Sequence, residues 1–496
     1  MTDHDVIIVG AGFGGMGAAI SLKRLGYDDI AILDREDDLG GTWHVNHYPG
    51  LAVDIASVTY SYSFEPNPYW KHWFARGPEL KQYAEHVAEK YDLRRHMEFG
   101  VRVDGARWDE DDRHWAVTAT GPDGVTSTRT ATYLMTATGF LSQPRLPDID
   151  GVEEFAGTVI HTAMWDDDAD LAGKRVAVIG TGATAVQLIP QIAKKAAELT
   201  VYQRTPIWVT PKTDFKIPRA LQLLFATQPW TQRLARRANS TWLEAIMVTG
   251  VLHYKQAKLF NQAAAAIAKA HLRRQVKDPE LRRKLTPDYS FGCKRPTFAN
   301  NYYPTFTQPH VSLETTPIER ITETGIVTTD GNETGIDVLV LATGFNLWDT
   351  NFPAIEVIGR EGRNLGKLWR EAGYHAYEGV TVSGFPNFVS LNSPYSYSGL
   401  SYFMTIEAQM GHLERLFGEL HERGARTFEI SERADREFLA HMLERMDDTV
   451  FIQGSCGTAR SYYYTNEGDA VLLRPTSSGN ARRAGESFPL EHYAYA

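Results

Sequence analysis

The apolar positions of this chain spell one phrase twice. Asp5 to Gly10 (DVIIVG) is an unbroken apolar run, as in a strand buried on both faces. Met16 to Leu25 then switches to helical spacing, Gly26 ends the helix, and Ile30 to Leu33 reads as a second strand. The phrase returns as a strand from Lys174 to Gly180 (KRVAVIG), a helix to about Glu198 and a strand from Leu199 to Gln203. Between the two, Pro78 to Tyr91 is amphipathic and helical. Met97 to Ala119 alternates like a hairpin or small sheet, with Gly121 to Gly124 as a turn. Ala131 to Leu141 is a strand ending in Ala137-Thr138-Gly139, and Pro144 and Pro147 then break the chain toward a linker.

Downstream, the segment from about Phe215 to Asp288 turns helical. Helical spacing runs over Leu221 to Phe225, Trp242 to Leu252 and Ala257 to Leu272. Val338 to Gly344 repeats the strand with the Ala-Thr-Gly ending. A helix is expected from about Thr405 to Arg423 with Gly424 as its stop, and Gly399 opens another candidate helix N-terminus. These repeats predict an α/β protein of two Rossmann-like dinucleotide-binding domains, the second inserted in the first, with a helical insertion. The expected boundaries are 1–145 and 345–496 for the first domain, 150–213 and 290–344 for the second, and 214–289 for the helical subdomain.

Composition narrows the setting. A chain of 496 residues suits two or three domains, and 43% hydrophobic with 23% charged residues is ordinary for a globular protein. A net charge of −10 argues against nucleic-acid binding, which needs a basic face to offset phosphate. No run of about 18 apolar residues exists, so no membrane-spanning helix is expected. The opening residues lack the basic start and cleavage site of a signal peptide. Cys293 and Cys456 cannot make a disulfide framework and are not spaced as a redox pair, which suits a reducing cytoplasm. Arg233, Arg236, Arg237, Arg273 and Arg274 read as a solvated helix face rather than a membrane anchor. No metal site is expected.

The candidate chemistry begins at Gly10, Gly12 and Gly15, which fill G-x-G-x-x-G between a strand and a helix, with Asp34 at the end of the next strand. The glycines let the backbone approach a pyrophosphate, and the acid accepts ribose hydroxyls and repels a 2′-phosphate, so FAD or NAD fits. Gly40 to Asp54 (GGTWHVNHYPGLAVD) is a structured loop whose length and aromatic content suit a segment laid along a cofactor; Asp54 alone also reads as a turn acid. At the second phrase, Gly180, Gly182 and Ala185 make G-x-G-x-x-A. The following strand ends in Arg204-Thr205, where a guanidinium suits the 2′-phosphate of NADPH. Lys294 and Arg295 lie side by side among aromatics, where two cations need an anion or a salt-bridged acid. Phe155 to Asp166 (FAGTVIHTAMWD) reads as a linker between the two nucleotide sites. The tyrosines at 302, 303, 395 and 397 fit a roomy apolar pocket or plain packing.

Assembled, these residues resemble the type I flavin-dependent Baeyer–Villiger monooxygenases. The linker matches that family's F-x-G-x-x-x-H-x-x-x-W-[PD] at Phe155, Gly157, His161, Trp165 and Asp166. The loop after the first site matches a second fingerprint at Gly40, Gly41, Trp43, Tyr48, Pro49, Gly50 and Asp54. The resemblance implies FAD at Gly10, Gly12, Gly15, Asp34, Gly41, Thr42, Trp43 and Asp54, and NADPH at Gly180, Gly182, Arg204, Thr205 and Lys294. It implies Arg295 as the active-site arginine with Asp54 as its acidic partner, and His161 in domain movement rather than bond-making. The implied reaction uses NADPH and O2 to form a flavin C4a-peroxide that converts a small-molecule ketone into an ester or lactone. The alternative is S- or N-oxygenation of soft nucleophiles such as sulfides. Ser393-Pro394, and tyrosines 462–464 where many members carry a tryptophan, depart from the family pattern near the expected substrate. A pyridine-nucleotide disulfide reductase shares the two-site plan but needs a close cysteine pair, and Cys293 and Cys456 are far apart in sequence.

Overall fold

A computed structural model describes residues 2–496, Met247 by its backbone alone. The first phrase folds as β1 (His4–Val9), α1 (Phe13–Arg24) and β2 (Ile30–Asp34). Helix α1 begins a turn earlier than its apolar spacing suggests, because Gly12 already stands at its N-cap. The short helix α2 (Thr42–Val45) and then α3 (Gly77–Lys90) follow. The expected hairpin over 97–119 divides. β3 (Met97–Phe99) joins β2 in parallel, while β4 (Arg102–Asp109), β5 (His114–Thr120) and β6 (Thr126–Thr136) form an antiparallel meander.

Next come β7 (Thr158–His161), β8 (Arg175–Ile179), α4 (Ala183–Ile192), β9 (Glu198–Tyr202) and the short β10 (Val209–Thr210). The helical segment falls within the expected 215–288 as α5 (Arg219–Thr227), α6 (Pro229–Met247), α7 (Tyr254–Gln275) and α8 (Pro279–Lys284), each longer than, or outside, the three stretches of helical spacing. A π-helical turn at Val248–Leu252 separates α6 from α7. β11 (Thr297–Phe298) pairs with β10, and α9 (Tyr302–Thr305) leads to β12 (Val311–Glu314). A small antiparallel sheet of β13 (Ile318–Ile321), β14 (Gly325–Thr328) and β15 (Glu333–Gly335) precedes β16 (Val338–Leu341). The chain closes with β17 (Glu356–Ile358), α10 (Leu365–Ala372), β18 (Phe388–Ser390), α11 (Tyr402–Arg423), β19 (Phe428–Ile430), α12 (Glu432–Met446), α13 (Val450–Gln453), α14 (Ser478–Ser487) and β20 (Tyr493–Tyr495). Gly424 ends α11 in the left-handed region, as its position predicted.

Two sheets organise these elements. The eight-stranded sheet runs β17-β4-β5-β6-β1-β2-β3, with β18 also paired to β6, and draws only on strands before residue 137 and after residue 355. The five-stranded sheet, β12-β9-β8-β16-β7, is parallel throughout. Its strands come only from residues 158–202 and 311–341. Parallel strands buried on both faces need apolar residues at every position, which is why VIIV and VAVI carry no alternation. Helix α1 is buried over Phe13–Leu22, wedged between the first sheet and α11, and a Cβ at Gly17 would stand 2.6 Å from the Ile406 side chain. Each glycine turn lies where the central strand of its sheet ends, beside the crevice at which open α/β sheets bind ligands.

The segment 155–166 is not a linker loop. Thr158–His161 is the edge strand of the five-stranded sheet, in register with Val338–Leu341. Its β-branched Thr-Val-Ile run suits a strand, and its partner lies 180 residues downstream, outside the reach of local pattern.

Candidate active site

The first cradle closes on itself. Gly10 has φ +114, and a Cβ there would stand 2.6 Å from the Ala137 carbonyl oxygen, so the turn admits only glycine. A Cβ at Gly15 would meet the Gly10 carbonyl at 1.9 Å. Gly12 faces Gly41, the N-cap of α2, and Thr42 and Trp43 follow in that helix. Asp34 lies at the end of β2. Its Oδ2 accepts from the Ala11 N–H at 2.6 Å and its Oδ1 from the Glu36 N–H at 3.0 Å. Burial pushes this carboxyl up, while the two backbone donors oppose that. The bare glycine turn, the helix N-terminus and an acid at the strand end fit a dinucleotide diphosphate and its ribose.

The second cradle copies the backbone and changes the chemistry. Gly180 has φ +113, and its Cβ would stand 2.4 Å from the Ala342 carbonyl, while nothing approaches Gly182 within 4 Å. At the end of β9 the acid gives way to Arg204, with Thr205 accepting at its carbonyl from the Thr181 hydroxyl at 2.9 Å. Partial burial and the guanidiniums of Arg460 and Arg145 push the Arg204 pKa down. Burial, and then the charge of Arg204, pull the Lys294 ammonium down to about 8. Among the described residues none of these four cations forms a salt bridge, so the cluster is suited to an anionic ligand. Arg145 and Arg460 lie outside both glycine motifs, and no spacing rule pointed to them.

Between the cradles stands Arg295. Its Nε donates to Asp54 Oδ2 at 2.7 Å and its Nη2 to Asp54 Oδ1 at 2.9 Å, a bidentate pair. Nη1 donates to the Tyr397 hydroxyl at 2.7 Å and to the Gly399 carbonyl at 3.2 Å. The Tyr397 hydroxyl in turn donates to the Leu400 carbonyl at 2.9 Å. The two charged side chains keep 18% and 24% of their exposure, so the pair is mostly dry without being sealed. Burial alone would raise the Asp54 carboxyl, but the Arg295 guanidinium overrides it and holds the acid below its usual value. Burial opposes the Arg295 charge and Asp54 more than restores it. Tyr397 is pushed up to about 12 by burial, so it stays protonated. Tyr462 and Tyr463 pack together with ring centres 4.9 Å apart, and Tyr463 stands beside the same guanidinium.

The remaining aromatics divide. Tyr302 and Tyr303 are buried in the core of the second sheet, against Phe306 and His271, and are packing. Tyr395 is also fully buried, away from hydrogen-bond partners. Only Tyr397 of the four reaches Arg295. Gly399 does not open a helix: α11 starts at Tyr402 with Ser401 at its N-cap, and Gly399 instead offers its carbonyl to Arg295.

The fingerprint residues act mostly by packing. Phe155 folds over Gly157, whose Cβ would stand 2.5 Å from its ring, and Trp165 is buried against the second sheet. His161 is buried at the end of β7. Its Nδ1 accepts from the Ala163 N–H at 3.2 Å, which leaves the proton on Nε2, and burial lowers its pKa. The backbone of Arg145 and Gly344 lies against it. These are the two strands of chain that pass between the sheets, joined by the Arg145 N–H to the Gly344 carbonyl at 2.9 Å. Gln187 on α4, which no motif singled out, ties the second fingerprint loop to the second sheet. It accepts from the Ala52 N–H at 3.1 Å and donates to the Ala52 carbonyl at 2.9 Å. A Cβ at Gly50 would press on the Gln187 carbonyl at 2.6 Å, which explains Pro49-Gly50.

The cysteine expectation is overturned. Cys293 and Cys456 form a disulfide with a Cα–Cα distance of 5.3 Å, across a sequence separation of 163. It ties the loop carrying Lys294 and Arg295 to the segment after α13 that leads to Tyr462 and Tyr463. Sequence distance therefore does not exclude a cysteine pair near the site, and full-length likeness has to separate the rival families.

A family model described as pyridine nucleotide-disulphide oxidoreductase matches residues 4–228. A Baeyer–Villiger monooxygenase of Streptomyces coelicolor is 38% identical over 98% of this chain and 92% of its own. One of Pseudomonas aeruginosa is 38% identical over 92% of this chain and 85% of its own. Among solved structures, an oxidised steroid monooxygenase bound to NADP matches 99% of both chains with a TM-score of 0.87 and 31% identity. The closed form of a cyclohexanone monooxygenase matches 99% of both with a TM-score of 0.86 and 29% identity. Identity at this level over nearly the whole of both chains, with both fingerprints in place, shows that the chain belongs to the Baeyer–Villiger monooxygenases.

Proposed function

We infer that this protein is an FAD-dependent monooxygenase that uses NADPH and O2 to insert one oxygen atom beside the carbonyl of a small-molecule ketone, giving an ester or lactone. When bound, FAD supplies the redox and oxygen-activating chemistry and NADPH the hydride. FAD is assigned to Gly10, Gly12, Gly15, Asp34, Gly41, Thr42, Trp43 and the face of Asp54 turned to the site; NADPH is assigned to Gly180, Gly182, Arg204, Thr205 and Lys294. The bare glycine turns and the uncompensated cation cluster support this division. The FAD domain is proposed as 1–145 with 345–496, the NADP domain as 150–213 with 290–344, and the helical subdomain as 214–289; the separate strand supply of the two sheets supports it. A cytoplasmic setting, where NADPH is supplied, is proposed as well, with the Cys293–Cys456 bond the feature that runs against it.

The observation that carries the chemical reading is the clamping of Arg295. A guanidinium has five N–H groups. Four are held by Asp54, Tyr397 and Gly399, and Tyr463 stands at the same guanidinium. A fixed, permanently charged donor beside the site stabilises negative charge that develops on oxygen as the ketone carbonyl is attacked. Asp54 and Tyr397 position it and remove the need to reorganise during reaction. The Arg295→Ala protein is expected to keep flavin and oxidise NADPH, while ester formation falls by at least about 10²-fold. Tyr397→Phe, losing one hydrogen bond, is expected to lose about 1 kcal/mol of that stabilisation. Product mass after incubation with cyclic, linear and aromatic ketones, and with a sulfide, reads this out. Unchanged ester formation by Arg295→Ala sinks the assignment, and sulfoxide in place of ester from the parent favours soft-nucleophile oxygenation.

A further inference from the structure

Two helices of the insertion leave rows of large apolar side chains in solvent. On α6 three polar side chains tie the helix to the protein, beside the partly buried Ala235 and Leu243. Gln232 donates to the Asn67 carbonyl at 2.7 Å, Arg236 to the Ser61 carbonyl at 2.7 Å, and Asn239 to the Thr59 hydroxyl at 2.8 Å. The solvent-facing stripe carries Trp230, Leu234, Trp242 and Ile246, with Trp242 66% exposed, interleaved with exposed Arg233 and Arg237. Helix α7 buries Tyr254, Ala268 and Leu272 in the ordinary way, yet it too leaves large apolar side chains outside. Asn261 is buried and bonds the Gly250 and Phe291 carbonyls at 2.8 and 2.6 Å, while Leu259 is 79% exposed beside exposed Phe260 and Ile267. Surface helices normally bury the apolar stripe and solvate the polar one, and a row of exposed large apolar side chains marks a surface that meets something.

Charge says what it meets. Residues 214–289 hold fourteen Lys and Arg against five Asp and Glu, in a chain whose net charge is −10. At the end of α7 a cleft of about 390 Å³ is lined by Lys269, Arg273, Arg282 and Arg283, of which only Arg283 has a carboxylate partner, Glu280 at 2.6 Å. A second copy of this face would set cations against cations. Tryptophan and aliphatic side chains alternating with arginine on one helix stripe match a layer that is apolar beneath and anionic at its surface.

We propose, in place of the solvated helix face expected from sequence, that α6 and α7 dock this protein onto an anionic lipid surface, the apolar side chains entering the acyl boundary and the basic cleft taking phosphate headgroups. No helix of the described residues is long and apolar enough to cross a membrane, so the attachment is peripheral. The test is sedimentation of the flavin-loaded full chain with vesicles. Vesicles containing phosphatidylglycerol are expected to carry down about tenfold more protein than pure phosphatidylcholine, with added salt weakening the effect. Trp242→Ser with Phe260→Ser, and separately Arg233→Glu with Arg237→Glu, are each expected to cut binding about tenfold while flavin content and NADPH oxidation in solution stay unchanged. No binding of the parent to phosphatidylglycerol vesicles at low salt, or equal binding by both double variants, overturns the proposal. So does a concentration-dependent dimer of the parent that Trp242→Ser dissolves, which reassigns the face to self-association.

Discussion

The two glycine cradles share a backbone and differ in what completes them. Gly10 approaches Ala137 as Gly180 approaches Ala342, and each sheet returns through an Ala-Thr-Gly strand end. In the first cradle, Gly15 is packed on Gly10 without room for a methyl, and Asp34 is already bonded to Ala11 and Glu36. In the second, Ala185 occupies the third motif position, buried without conflict, and Arg204 and Lys294 have no carboxylate partner. The first is built like a seat for a resident group. Among the described residues the second carries cations without carboxylate partners, as the proposed exchange of NADPH requires. The contrast teaches that one backbone turn takes on opposite electrostatics according to the residues one strand away.

Three experiments press on that contrast, the strongest first. Gly15→Ala is expected to empty the first cradle, because its Cβ would stand 1.9 Å from the Gly10 carbonyl and backbone cannot yield cheaply. Ala185→Gly, the reciprocal change, is expected to leave NADPH use within about 1 kcal/mol of the parent. The ratio of flavin to protein absorbance reads the first and NADPH titration the second; a flavin-replete Gly15→Ala protein would break the comparison. Arg204→Ala comes next, with the KM for NADPH rising about 10-fold or more, the worth of one charged hydrogen bond of about 1.5–3 kcal/mol, while NADH use is unaffected. An equal loss with both nucleotides would detach Arg204 from the 2′-phosphate.

The smallest effect concerns pH. The Lys294 pKa is lowered to about 8, so the ammonium is charged below that value and loses its proton as pH rises through it. NADPH affinity is therefore expected to weaken by a few fold above about 8, the bound phosphate shifting the limb upward. Lys294→Arg should flatten the limb, since arginine stays charged. A parent whose KM for NADPH does not change across this range would remove Lys294 from the anion site.

Much of the fold was legible because its signals are local. Uninterrupted apolar runs announced β1 and β8, helical spacing announced α1 and α11, and Gly424 sat where a helix must stop. What misled was also local. The stretch 158–161 looked like a joint because its hydrogen-bond partner, 338–341, is distant in the chain. Helix α6 was only half seen, since polar Gln232, Arg236 and Asn239 dock it while Trp230, Leu234 and Trp242 face out, against the pattern used to find helices. Of the site, the glycines, Asp34, Arg204 and the Lys294-Arg295 pair were readable from sequence. Tyr397 as a clamp, Gln187 as a latch between sheets, and Arg145 and Arg460 in the cation cluster carry no motif and surfaced only as neighbours.

The sequence by itself determined the two nucleotide turns and the family. Those rest on residues within a few positions of one another, where backbone sterics and periodicity act directly. Tertiary structure alone decided which groups meet. It placed Arg295 against Asp54 across a separation of 241 residues, and it joined Cys293 to Cys456 across 163, overturning a reading made from spacing. It also left four cations without acids among the described residues and left large apolar side chains of two helices in solvent. Such contacts depend on how whole sheets and loops pack, and no short stretch of sequence encodes that packing.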